Sequence, residues 1–268
     1  MHHVTTATIP TSCSIVAHAT VEAGLVRIEE LREQPGPSNG PQLPRRFLRH
    51  CDEHTVVGMA AVLEAIARMP GPLPSFERWG VLAAPCLAGR LMSAQTLAQL
   101  HKTGAAAVSP HIIPQCSLHA MASAVSVGLG MHGPNIGVGG GPQAVVEGLV
   151  TAVSMLDEPG VPGLWLVLTQ WNREPIPDGK GGATVDAVCR GLALALTAGG
   201  ESAQPSGHPM LSLRLPEGLP PAADAEPASL LLGDFAAVLA GASAAAERAA
   251  TRAVWSYECD WGARLEVS

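Results

Sequence analysis

Six cysteines and ten histidines are the first side chains to weigh for nucleophilic or metal-binding chemistry. Cys116 has the best placement among the thiols: it follows Pro114-Gln115 near an expected helix start, where a helix N-terminus lowers a thiol pKa, and His111 and His119 lie close in sequence. No third group that would orient such a pair is evident. Unpaired cysteines are usually buried, so Cys116 is read as a small core residue, with an independent acyltransferase or hydrolase built on it as the alternative. His101, His111, His119 and His132 fit no zinc spacing, and no metal is expected. The run Gly137-Val-Gly-Gly-Gly141 evokes a dinucleotide fingerprint, but its third glycine comes one residue early and no apolar strand precedes it, so no cofactor is expected. The run reads instead as a tight turn with close backbone approach. Gly179-Lys-Gly-Gly-Ala-Thr184 is not a phosphate loop, because Gly181 follows Lys180 where Ser or Thr would be needed, and it reads as a flexible loop.

The elements that must position these residues follow from periodicity. A strand is expected over 14–20 and a Pro/Gly/Ser-rich loop over 34–44. Asp52 caps a helix that carries Met59, Val62, Leu63 and Ile66 on one face and stops at Met69-Pro-Gly-Pro72. The cluster Asp52-Glu53 belongs to that helix start, where the dipole stabilises anions. A buried strand over 79–84 and a helix over 93–101 come next. Ser117 is expected to cap a helix reaching Gly128 and Gly130, followed by a turn at His132-Gly-Pro134. Pro142 suits the first turn of a helix whose Val145, Leu149, Ala152, Val153 and Leu156 share a face. Leu164–Leu168 is a buried strand, and 185–196 is either a strand or a helix. Residues 199–209 and 216–227 read as loops, 230–254 as an Ala-rich helix, and 255–261 as an edge strand.

Composition narrows the function classes. The chain has 268 residues and suits a single domain; its net charge of −7 offers no basic footprint for nucleic acid. The hydrophobic fraction is 47% against 15% charged residues, leaving apolar area for a buried interface. Abundant Ala and Gly with only 3% aromatics favour a layered α/β architecture of closely packed backbones. Scattered cysteines without CxxC spacing and a start without a signal pattern point to reduced thiols and a cytoplasmic protein. No apolar run is long enough for a membrane span.

One ordered set of residues carries a resemblance. Val108-Ser-Pro-His-Ile-Ile-Pro114, the apolar stretch to Met131, His132-Gly-Pro-Asn135 and the glycine run together resemble the N-terminal half of β-ketoacyl synthases, where a Ser-Pro segment and an Ile-Pro pair lead through a helix and a Gly-Pro-Asn turn to the nucleophile. Trp171-Asn-Arg-Glu-Pro-Ile-Pro177 is similar to the Asp/Glu-Pro segment of short ketosynthase homologues from aryl polyene pathways. The resemblance covers 14–196 and leaves 197–268 as a divergent C-terminal extension. It implies a thiolase-like α/β fold with a central mixed sheet, truncated relative to a full ketosynthase. The family's nucleophilic cysteine is missing: its place falls on Pro142 or, with a one-residue shift, on Gln143, and chain-length-factor relatives often carry glutamine there. The family's His-Gly-Thr and Gly-Phe-Gly-Gly signatures are also missing from these residues. Carbon–carbon bond formation by this chain alone then has no chemical basis. The resemblance implies a non-catalytic, chain-length-factor-type subunit that pairs with a full-length ketosynthase and serves acyl carrier protein in fatty acid, polyene or polyketide synthesis, with a carrier-protein docking scaffold as a further alternative. The expected partner surface is Ser117–Met131 with Asn135–Val138, in particular Ser117, Met121, Ala124, Val125, Asn135 and Val138. Obligate contacts of this kind bury roughly 2,000 Å² or more.

Overall fold

The computed structural model describes residues 11–38, 40–69, 71–158, 160–178, 183, 185–199, 208–216, 229–247 and 255–268. The loops expected over 179–184, 199–209 and 216–227, and the end of the helix expected to reach 254, lie largely outside them. Eight strands form one mixed sheet in the order β3-β2-β4-β5-β1-β6-β8-β7. β2 (Gly80–Pro85) runs parallel to β3 (Asn135–Gly137) and β4 (Leu164–Trp171). β5 (Val188–Ala198), β1 (Thr11–Gly24), β6 (Met210–Arg214), β8 (Arg264–Val267) and β7 (Trp255–Glu258) continue it in antiparallel fashion.

Strand alternation divides the interior into two cores. Val81, Ala83, Trp165, Val167, Ala193 and Ala195 face α2 (Glu53–Ala67) and α5 (His119–Leu129). Their neighbours Leu82, Leu164, Leu166, Leu192, Leu194 and Leu196 face α6 (Ala144–Leu156) and α7 (Leu232–Glu247). The small residues on the first face let α2 lie close to the sheet; a Cβ on Gly191 would come within 2.9 Å of the Val57 carbonyl oxygen. All of α2 except Glu64 and Ala67 is buried, so burial wraps round the helix beyond the expected apolar stripe and takes in Glu53, His54 and Thr55 at its first turn. Asp52 caps it as expected, one oxygen accepting from Thr55 N–H at 3.0 Å.

Several expectations change. Residues 188–198 are a strand, since β4 and β1 both pair with them. α1 (Leu25–Glu33) carries no clear sequence signal, because only Ile28 and Leu31 are buried on it and its apolar period is faint. Ser117 does not cap α5: Leu118 stands at that position without a side-chain bond, and the Ser117 hydroxyl donates to the Pro114 carbonyl at 2.9 Å. Pro142 lies ahead of α6, whose N-cap is Gln143, because a turn from Gly141 to Ala144 comes first. The edge strand expected near 255 is β7, joined to β8 by a turn in which Gly262 has φ 84°.

Candidate functional site

The carboxyl ends of β2, β3 and β4 converge on the glycine turn. Val138 N–H donates to the Ala83 carbonyl at 2.9 Å, and beyond it Cys86 bridges Gly140 in parallel register. Leu87 N–H then donates to the Gly140 carbonyl at 3.2 Å, and Cys86 N–H to that of Thr169 at 2.8 Å. Gly139 and Gly140 have φ of 77° and 97°, a conformation that side-chain-bearing residues avoid. A Cβ on Gly140 would meet Leu118 Cδ2 at 2.7 Å, so Leu118 covers the turn. The turn delivers the chain into α6 through Pro142, which is exposed, and Gln143.

Side chains that sequence reasoning did not single out surround the turn. Cys86 is buried with its sulfur 3.9 Å from Gln170 Nε2. Burial pushes its thiol up, the Gln170 bond opposes this, Glu174 adds to it and Arg90 opposes it. Arg90 and Glu174 stand 3.9 Å apart. Deeper, the His54 ring places Nδ1 2.8 Å from Thr169 Oγ1, while its Nε2 has no partner among the described residues. Burial lowers the His54 pKa, with the Asp52 charge opposing, so the ring is neutral. These contacts join residues more than eighty positions apart, and no local pattern announces them.

Cys116 lies at the base of a projecting segment. Its thiol is raised first by burial and also by Asp52 and Glu53, against a lowering bond from Ser93. That is the reverse of an activated nucleophile. A Cβ on Gly89 would meet Cys116 Cβ at 2.6 Å, and Gly89 N–H donates to Asp52 at 3.1 Å, so Cys116 and Asp52 close the stem of the segment. The segment comprises α3 (Arg90–Thr103), a 3-10 turn at Ala105–Ala107 and α4 (Ile112–Gln115). Only Leu91 of α3 is buried, whereas Leu97 is 63% exposed and Ile113 of α4 78%. α4 leads to α5, which exposes Val127 at 70%, and α5 packs on β3, the sheet edge, where Ile136 is 38% exposed. Of the residues expected to face a partner, Ser117 is exposed and Ala124, Asn135 and Val138 are half-buried. Met121 and Val125 are corrected: they are buried in this chain's own core, Met121 filling the space over Gly58 of α2. The apolar stripe of α5 is used to hold α2, and only its other side is open.

Among solved structures, the chain is similar to one chain of the complex of the ketosynthase ApeO with its chain length factor ApeC from Xenorhabdus doucetiae, with a TM-score of 0.53 at 12% identity over 97% of each chain. The fold is that of a β-ketoacyl synthase. The ketosynthase-like fold also matches a chain of AntDE:AntF, described as a type II polyketide synthase acyl carrier protein in complex with its ketosynthase bound to the hexaketide, with a TM-score of 0.50 and 14% identity. That match covers 71% of this chain and 63% of the other, so the ketosynthase-like chain spans under two thirds of its length. No protein-family model and no characterised protein sequence matches it.

Proposed function

We propose that the chain is a non-catalytic, chain-length-factor-type subunit that pairs with a complete β-ketoacyl synthase and works on acyl groups carried by acyl carrier protein. The observation that carries this reading is the uncovered surface of α3, α4, the outer side of α5 and the β3 edge. It exposes Leu97, Leu100, Ile113, Val127 and Ile136, and no Asp or Glu occurs between Arg90 and Glu147. Without carboxylates, and with Arg90 and Lys102 as its cations, this surface has few charges to desolvate on burial, which suits a partner contact. The β3 edge leaves backbone N–H and C=O groups for a second sheet to pair with.

The glycine turn supports the non-catalytic part. Pro142 has neither a nucleophile nor an N–H to donate, and Gln143 has no ionisable group to activate. Cys86, the thiol closest to the turn in register, is buried and disfavours its thiolate. Purified alone with malonyl carrier protein, the chain should give neither decarboxylation nor condensation. Adding the partner ketosynthase should give product whose length changes when this chain's exposed residues are substituted. Turnover by the chain alone, abolished by replacing Pro142 or Gln143, would overturn the reading.

A further inference from the structure

A cavity of about 630 Å³ opens where β1, the C-terminal end of α2 and α7 meet. It lies away from the glycine turn. Ile15 of β1 pairs with Leu196, which also pairs with Leu164 at the beginning of β4, whereas the turn adjoins the end of that strand. Cavities of a few hundred to a thousand Å³ are the size that takes small ligands. Val16, Pro209, Ala240 and Ala244 give it an apolar lining, and the small residues at 240 and 244 keep the α7 wall low. The register of β1 against β5 shifts between Ile15 and Ala17, so Val16 is a bulge whose backbone leaves the ladder at the cavity wall.

Two side chains on opposite walls meet there. Ser243 Oγ of α7 lies 2.8 Å from His18 Nε2 of β1, two residues separated by 225 positions and both half-buried. Burial and, less strongly, the Arg68 charge hold His18 below its ordinary pKa, so its ring is neutral at neutral pH, with a ring nitrogen free to accept a proton. The charged and titratable groups lining the cavity with it are Arg68 at the end of α2 and His208 ahead of β6. Arg68 places Nε and Nη2 on Glu64, at 3.0 and 2.6 Å, and Nη1 has no partner among the described residues.

We infer that Ser243 and His18 form a nucleophile–base pair that hydrolyses short activated acyl compounds, esters or thioesters, in this cavity. A hydroxyl within hydrogen-bond reach of a neutral imidazole supplies the nucleophile and base of such a pair, and here the pair opens on a cavity that Arg68 also lines. Ser243 Oγ attacks the acyl carbon as its proton passes to His18 Nε2. The bond to the leaving group breaks, and the departing alkoxide or thiolate takes that proton. Water then attacks the acyl-serine, gives a proton to Nε2, and releases the carboxylic acid as the proton returns to Ser243. Arg68 Nη1 is the positioning group for the carbonyl oxygen, and the apolar lining takes the acyl chain. This site is independent of the subunit reading, so either can fail without the other.

The test uses the full chain with p-nitrophenyl butyrate and with the butyryl thioester of N-acetylcysteamine. We expect turnover of at least one, on the order of 100-fold above buffer, falling to background in Ser243→Ala and His18→Gln while the melting temperature stays unchanged. Because a variant can fail to fold, the wild-type chain is also treated with a fluorophosphonate and mapped by peptide mass spectrometry, and the adduct is expected on Ser243. Turnover of neither compound, turnover that survives Ser243→Ala, or an unmodified Ser243 would overturn the inference.

Discussion

Helices α2 and α3 are nearly equal in length, at 15 and 14 residues, and differ in almost everything else. α2 is buried nearly end to end, lies across β1, β4 and β5, and has its first turn closed by Asp52. α3 buries Leu91 alone, begins at Gly89 with φ 69° and no side-chain cap, and touches chiefly the 3-10 turn and α4. Helices of this length draw most of their stability from packing, so α2 is held firmly by its own chain and α3 gains little from it. The same Asp52 serves both, because its second oxygen accepts Gly89 N–H and anchors the projecting segment to the core helix.

The largest effect should come from charge placed on one helix and not on the other. Val57→Asp puts an unpaired carboxylate against β5 and should cost more than about 4 kcal/mol, enough to prevent folding. Leu97→Asp, on the open side of α3, should shift stability by less than about 0.5 kcal/mol. Denaturant titration of both variants checks the pair, and equal effects would erase the distinction between the helices.

Gly140→Val probes the turn beneath the projecting segment. Its φ of 97° and the nearness of Leu118 predict a loss of about 1 to 3 kcal/mol in chemical denaturation. A neutral outcome would mean that Leu118 does not hold the turn.

A smaller effect is expected from pH. His54 has its folded-state pKa lowered by burial, so the unfolded chain binds a proton first as pH falls through about 6.5. Stability from this group is complete above that pH and declines below it, until the folded-state pKa is passed. Glu53 acts in the opposite direction: its pKa is raised, mainly by burial, so just above the ordinary carboxylate range the folded state holds the extra proton. Replacing His54 by Gln removes one contribution and keeps a hydrogen-bonding group beside Thr169. The difference between wild type and His54→Gln should grow in the variant's favour below pH 6.5, measured as melting temperature against pH; a constant difference would contradict a buried neutral ring.

The contrast between the two helices also marks how far the sequence could be read. Strong apolar runs such as Leu164–Leu168 and the cap at Asp52 state their structure locally, and the glycine run correctly marks a turn with positive φ. The two short strands β6 and β8 have few residues each and are defined by pairing with distant partners, which no local pattern encodes. α5 shows the limit most clearly. Its small apolar residues suggest a partner surface, whereas Met121 and Val125 pack against α2 within this chain's own core. Periodicity reveals that a face is buried without revealing which surface buries it. The residues around the glycine turn, Cys86, Gln170 and His54 with Thr169, meet only through the sheet. The described residues beyond 197, which the resemblance leaves as a divergent extension, continue the same sheet, and Leu211, Phe235 and Leu265 join the core cluster that α6 also enters.

Sedimentation velocity of the chain alone, with a candidate ketosynthase, and with the same ketosynthase after Ile113→Glu tests the central claim most directly. Ile113 is 78% exposed, so the substitution leaves the core intact. The account predicts a stable complex with the wild-type chain, a wild-type chain that self-associates when alone, and loss of the complex in the variant at unchanged melting temperature. A wild-type chain that sediments as a monomer beside every ketosynthase offered, or a complex indifferent to Ile113→Glu and to Val127→Glu, would contradict it.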